Sequence, residues 1–112
     1  MIKLTLVKVA EISEIGRGQM KAFKLAEKEI LVVNVNGNYY AIANRCTHKS
    51  GDLSKGSLDG NIVTCPVHGA RFDVTTGKAV AGPKIAFFRA RTNDEPSYQV
   101  KIEGRDVMMN LE

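Results

Sequence analysis

The sequence predicts an all-β fold of antiparallel sheets with a glycine-rich subdomain inserted, and three observations predict it. Apolar and polar residues alternate with period two along most of the chain, as a half-buried strand requires. Turn-forming residues separate the alternating runs. Between about residues 44 and 84 the texture changes: Gly51, Gly56, Gly60, Gly69, Gly77 and Gly82, with Pro66 and Pro83, leave room only for short strands. The 112 residues, 44% of them hydrophobic, suffice for one domain, residues 1–112, whose core is thin.

Ile2 to Val7, Met20 to Leu25 and Ile30 to Val35 read as strands, rich in Val, Ile and Leu with charges between them. Asn36-Gly37-Asn38 then turns the chain into Tyr39-Tyr40-Ala41-Ile42; Asn-Gly between two such runs is a strong hairpin signal, because both residues tolerate positive φ. Within the insertion the expected strands are Asn61 to Thr64, Arg71 to Val74 and Lys78 to Val80. Phe87 to Arg91, Ser97 to Ile102 and Asp106 to Asn110 resume the alternation, with turns at Asn93-Asp94-Glu95-Pro96 and Glu103-Gly104-Arg105. Helix is conceivable only over Glu11 to Ile15 and near Lys24 to Ile30, both short or interrupted.

The longest aliphatic run, Ile30-Leu31-Val32-Val33, is far below the roughly 18 to 20 apolar residues of a membrane span. The N-terminus alternates like a strand and does not resemble a signal peptide, so no membrane association and a cytoplasmic location are expected. Sixteen basic residues against twelve acidic ones give a net charge of +4. The basic residues form no run and few aromatics interleave them, so they read as a solvated surface and not as a nucleic-acid face.

The chain has two Cys and two His, and all four lie in the insertion: Cys46-Thr47-His48, then sixteen residues, then Cys65-Pro66-Val67-His68. Each half follows a strand, where a rigid sheet can hold a loop in place. In a reducing compartment two such cysteines read as metal ligands or nucleophiles before a disulfide. Structural zinc favours C-x2-4-C or H-x3-5-H pairs, and a C-x-H pair closes poorly on one tetrahedral ion. A Cys46–Cys65 disulfide leaves the paired histidines unexplained, and Cys–His catalysis has no orienting Asn or Asp in a recognisable context.

The pattern C-x-H-x16-C-x2-H resembles that of Rieske-type ferredoxins. The resemblance continues through Gly69-Ala70-Arg71-Phe72-Asp73, similar to the family's G-x-x-F-D, the turn Thr75-Thr76-Gly77, and Gly82-Pro83, similar to its proline loop. It is specific over about residues 44–84; outside them only the strand pattern is alike. It implies a Rieske-like fold and one [2Fe–2S] cluster per chain, with Cys46 and Cys65 on one iron and His48 and His68 on the other. Two ferric ions, two sulfides and two thiolates sum to zero charge, so one added electron gives a single negative charge; an all-thiolate cluster starts more negative and resists reduction. The sequence departs from the family at Lys84-Ile85-Ala86-Phe87, where another Pro and a Leu are frequent, and the segment from Arg91 to Ser97 looks long.

High-potential members carry an additional Cys in each cluster loop and Ser and Tyr hydroxyls after the second His; here the matching positions are Ala70 and Phe72, which implies a low potential. No His remains for a mononuclear iron site. The resemblance therefore implies a soluble carrier, not itself an enzyme, that takes electrons from an NAD(P)H-dependent flavoprotein reductase and delivers them to a terminal oxygenase. The small subunit of an assimilatory nitrite reductase, or from another class a zinc-stabilised interaction module, are the alternatives. Residues 45–84 hold Arg45, Lys49, Lys55, Arg71, Lys78 and Lys84 against Asp52, Asp59 and Asp73, a net of +3, whereas the other 72 residues net +1. Partners with acidic docking surfaces are expected, with Lys49 and Lys84 as the leading contacts.

Overall fold

The computed structural model describes residues 6–25, 27–46, 51–67, 69–82, 84–85, 88–89 and 93–110. Thirteen strands follow one another there: β1 (Leu6–Glu11), β2 (Met20–Leu25), β3 (Lys28–Val35), β4 (Asn38–Ala43), β5 (Ser57–Asp59), β6 (Ile62–Thr64), β7 (Arg71–Asp73), β8 (Ala79–Ala81), β9 (Lys84–Ile85), β10 (Phe88–Arg89), β11 (Ser97–Tyr98), β12 (Val100–Glu103) and β13 (Asp106–Asn110). Among the described residues they form sheets of order β1-β13-β12, β11-β4-β3-β2 and β5-β6-β7-β8, with β9 and β10 as a separate pair. Every pairing is antiparallel.

The aliphatic run in β3 explains how the sheets stack. Side chains alternate across a strand, so Leu31 and Val33 face one way and Ile30 and Val32 the other. Leu31 and Val33 enter a core with Ile42, Leu53, Val63, Phe72, Val74 and the two cysteines. Ile30 and Val32 enter a second core with Ala10, Ile15, Ala41, Val107 and Met109. β3 thus lies in a middle layer, covered by the inserted β5–β8 sheet on one face and by the β1-β13-β12 sheet on the other. A strand buried on both faces reads as a continuous apolar run and not as an alternation.

The Asn-Gly turn forms as expected: Asn36 has φ 53° and Gly37 φ 94°, and Val35 pairs with Asn38. Just before it the buried Asn34 is fully used. Its amide nitrogen donates to Ile15 O at 2.9 Å, and its Oδ1 accepts from Gly37 N at 2.7 Å. Tyr39 adds a hydroxyl donated to Ile12 O at 2.9 Å, tying the hairpin to the chain after β1.

Several expectations are corrected. Glu11 to Ile15 holds only a 3-10 turn over Ile12–Glu14, closed by Glu11 N–H donating to Glu14 Oε2 at 2.7 Å. Lys24 to Ile30 is not helical: it is the β2–β3 hairpin, with Lys24 paired to Glu29, because cross-strand pairing and burial of Ile30 outweigh local propensity. Of the expected strand from Ile2 to Val7, residues 2–5 lie outside the described residues; Leu6 and Val7 are in β1, which runs on to Glu11. β5 and β9 were not anticipated, and of Phe87 to Arg91 the described part is Phe88–Arg89. The expected strand from Ser97 to Ile102 divides at Gln99: β11 pairs with β4, whereas β12 pairs with β13, so one stretch serves two sheets.

Candidate metal centre

Each cysteine begins a loop at the end of a strand, and the two loops close alike. Cys46 donates its backbone N–H to Gly51 O at 2.8 Å, and Cys65 donates its own to Ala70 O at 2.7 Å, five residues on in both cases. The first loop is braced from behind by Asn44, which is buried. Its Nδ2 donates to Asp52 Oδ1 at 2.7 Å, its Oδ1 accepts from Ser54 N at 3.0 Å, and its carbonyl accepts from Leu53 N at 2.9 Å. Arg45, exposed beside Cys46, forms a two-pronged pair with Glu29 at 2.6 and 2.9 Å. The second loop leaves β6 and returns into β7, whose Phe72 is buried in the same core as both cysteines.

Cys46 and Cys65 are 2% and 1% exposed and are not joined as a disulfide. Both thiols belong to one core, and Val67 N–H is aimed at Cys65 Sγ across 3.4 Å. Burial pushes the Cys65 thiol up to about 11; the Val67 amide works against the rise, and the neighbouring Cys46 thiol and the Glu95 charge add to it. Such a thiol gives up its proton when a metal replaces it. Gly51 completes the enclosure, since a Cβ there would stand 2.7 Å from Cys65 Sγ. Two buried thiols of one core on braced loops, with a backbone N–H toward sulfur and a side-chain-free wall, fit a thiolate-held metal group. His48 and His68 lie outside the described residues, as do Lys49 and Pro83.

Residues 5–107 match the family of the Rieske [2Fe-2S] domain. The chain is a Rieske protein. It is 39% identical over 106 residues, 95% of each chain, to the ferredoxin component of the naphthalene 1,2-dioxygenase/salicylate 5-hydroxylase systems of Ralstonia sp.. Among solved structures, the Sphingomonas yanoikuyae B1 ferredoxin is similar with a TM-score of 0.80 at 28% identity, covering 96% of this chain and 100% of that one. A chain from the complex of reduced oxygenase and oxidized ferredoxin in carbazole 1,9a-dioxygenase is similar with a TM-score of 0.78 at 26% identity, over 98% and 96% of the two chains. The cofactor of this Rieske chain is a [2Fe–2S] cluster.

Sequence reasoning reached the two cysteines and overlooked three residues around them. Gly51 is one of ten glycines, and only its approach to Cys65 distinguishes it. Val67 acts through its backbone, which its identity does not advertise. Glu95 reads as a turn residue, yet it is buried. The segment around it is more than a turn: Asp94 Oδ1 accepts from Ala79 N at 2.7 Å, Glu95 N–H donates to Gly77 O at 2.7 Å, and Pro96 O accepts from Ala43 N at 2.9 Å.

Proposed function

We propose that this chain is a one-electron carrier between an NAD(P)H-dependent flavoprotein reductase and a terminal oxygenase, with Cys46 and Cys65 on one iron and His48 and His68 on the other. Residues 1–112 act as a single Rieske domain in which residues 44–84 bind the cluster, and the protein works in the cytoplasm. The observation that carries this reading is the pair of buried thiols, in one core, at the heads of two loops closed in the same way. The similarity to ferredoxin components of dioxygenase systems, and to a ferredoxin solved with its oxygenase, supports the assignment of partners.

When bound, the cluster accepts and returns one electron at a time. The chain's own residues set the conditions. Leu53, Val63 and Phe72 exclude water from the thiolate side, and the Val67 amide donates toward sulfur, where negative charge accumulates. C-x-H and C-x2-H spacings let each loop reach both irons.

The test is composition and spectroscopy of the purified protein. Two irons and two sulfides per chain, no stoichiometric zinc and a red-brown colour are expected. Exchanging His48 or His68 for Cys should lower the midpoint potential wherever a cluster still assembles. A colourless preparation, or iron without labile sulfide after anaerobic reconstitution, would overturn the assignment.

A further inference from the structure

We propose that Asn36-Gly37 is a latent site of spontaneous deamidation and that the buried Asn34 side chain suppresses the reaction by holding the Gly37 N–H. The site lies in the β3–β4 turn, outside the metal centre.

The turn selects the residues that make it vulnerable. Asn36 at φ 53° and Gly37 at φ 94° supply the positive φ values of a two-residue hairpin turn. Both are exposed, and no other Asn-Gly pair occurs in the sequence. In the reaction the Gly37 amide nitrogen loses its proton and attacks Asn36 Cγ. The N–Cγ bond forms, the bond from Cγ to the side-chain nitrogen breaks, and that nitrogen takes up the proton and leaves as ammonia. Water then opens the cyclic imide at either carbonyl, giving aspartate or isoaspartate. Glycine lets the ring close because it has no side chain to obstruct it.

Here the attacking nitrogen is already committed, since Gly37 N–H donates to Asn34 Oδ1 at 2.7 Å. Asn34 is 4% exposed and tied on every side. Its Nδ2 donates to Ile15 O at 2.9 Å and to Tyr39 Oη at 3.2 Å. Its backbone N–H donates to Gln19 O at 3.0 Å, and its carbonyl accepts from Gly18 N at 2.9 Å. A carboxamide has one accepting and one donating end, so only the orientation that points Oδ1 at Gly37 serves all of these partners. A hydrogen bond to the protonated amide opposes its ionisation. Ring closure would also pull the nitrogen away and leave a buried acceptor unsatisfied.

The same turn heads the ladder that places β4. From Val35 and Asn38 the two strands pair back to Ile30 and Ala43, just ahead of Asn44 and Cys46. Isoaspartate would lengthen the turn backbone by one carbon, and either product would add a negative charge.

The experiment follows the folded holoprotein at mildly alkaline pH by ion exchange and peptide mapping, comparing wild type, Asn34→Ala and Tyr39→Phe. Wild type should deamidate slowly at Asn36, and Asn34→Ala about fivefold faster, the factor that one typical hydrogen bond is worth. Tyr39→Phe removes the hydroxyl that ties the hairpin to Ile12 but keeps the Asn34 acceptor, so it should stay near wild type. In urea all three should react alike, because the restraint exists only in the fold. If Asn34→Ala does not fold, Asn34→Leu fills the space without an acceptor. Hydrogen exchange of wild type reads the bond directly: the Gly37 amide, though exposed, should be protected. A folded Asn34 variant that deamidates at the wild-type rate overturns the proposal, as does a Gly37 amide that exchanges as freely as in an unfolded chain. So does a Tyr39→Phe rate as high as that of Asn34→Ala, since general loosening of the hairpin would then be responsible, or a difference that persists in urea.

Discussion

Gly51 has no room for a side chain, because a Cβ would meet Cys65 Sγ at 2.7 Å and Val67 Cγ2 at 3.0 Å. Gly51→Ala is therefore expected to cost about 1–3 kcal/mol through overpacking and to cut cluster occupancy, read as iron and labile sulfide per chain. Full occupancy would mean that the loops separate easily. Ala70 and Phe72 are likewise fully buried, and neither side chain can donate to sulfur. Installing hydroxyls with Ala70→Ser and Phe72→Tyr should raise the midpoint potential, and the wild-type value should lie in the negative half of the roughly −150 to +300 mV Rieske range; redox titration checks both. The cysteines stood out in the sequence because soft ligands are scarce in this chain. Gly51 and Glu95 did not, because each matters only through a residue distant in sequence that folding brings against it.

At the scale of elements, the turn after β7 shows how a carboxylate can organise a loop. Asp73 Oδ1 accepts from Thr75 N at 2.9 Å, Thr75 Oγ1 at 2.7 Å and Asn61 Nδ2 at 3.1 Å. Burial pushes the Asp73 carboxyl up, but these hydrogen bonds outweigh it and hold the group below its usual range. A carboxyl depressed by folding stabilises the protein fully above its unfolded value, about 3.9, and loses that contribution as pH falls through the lower folded value. Asp73→Asn should therefore destabilise the protein at neutral pH by about 1–2 kcal/mol and flatten the acid limb of its melting temperature against pH. Equal acid limbs in thermal melts of both proteins would refute this. β2 and β13 were legible to the residue because five or six residues between clear turn signals are long enough to show their pattern. β5 and the division at Gln99 were not, since Gly56 and Gly60 bracket Ser57–Asp59 as they would a loop, and a change of sheet leaves the period intact.

For the whole molecule, the excess positive charge in residues 45–84 is smaller at the surface than the sequence count of +3 implies, because Glu29 engages Arg45. Lys55, Arg71 and Lys78 are exposed. With acidic partners, electron transfer from the cognate reductase should slow as ionic strength rises and slow again for Lys49→Glu at unchanged midpoint potential, whereas Arg45→Gln should change it less. Stopped-flow rates indifferent to salt and to Lys49→Glu would leave the basic segment without a docking role. The fold class was readable from periodicity, but the stacking of sheets was not, because it depends on β3 being covered on both faces. That middle position makes heat and iron loss two routes to one collapse. Leu31 and Val33 share a core with the cysteines, while Ile30 and Val32, on the same backbone, anchor the opposite sheet. A cofactor bound only by the folded chain stabilises all that unfolds with it, so calorimetry of the iron-free protein should give a single cooperative endotherm at lower temperature. Two separate endotherms would mean that the insertion melts on its own and that β3 does not transmit its loss.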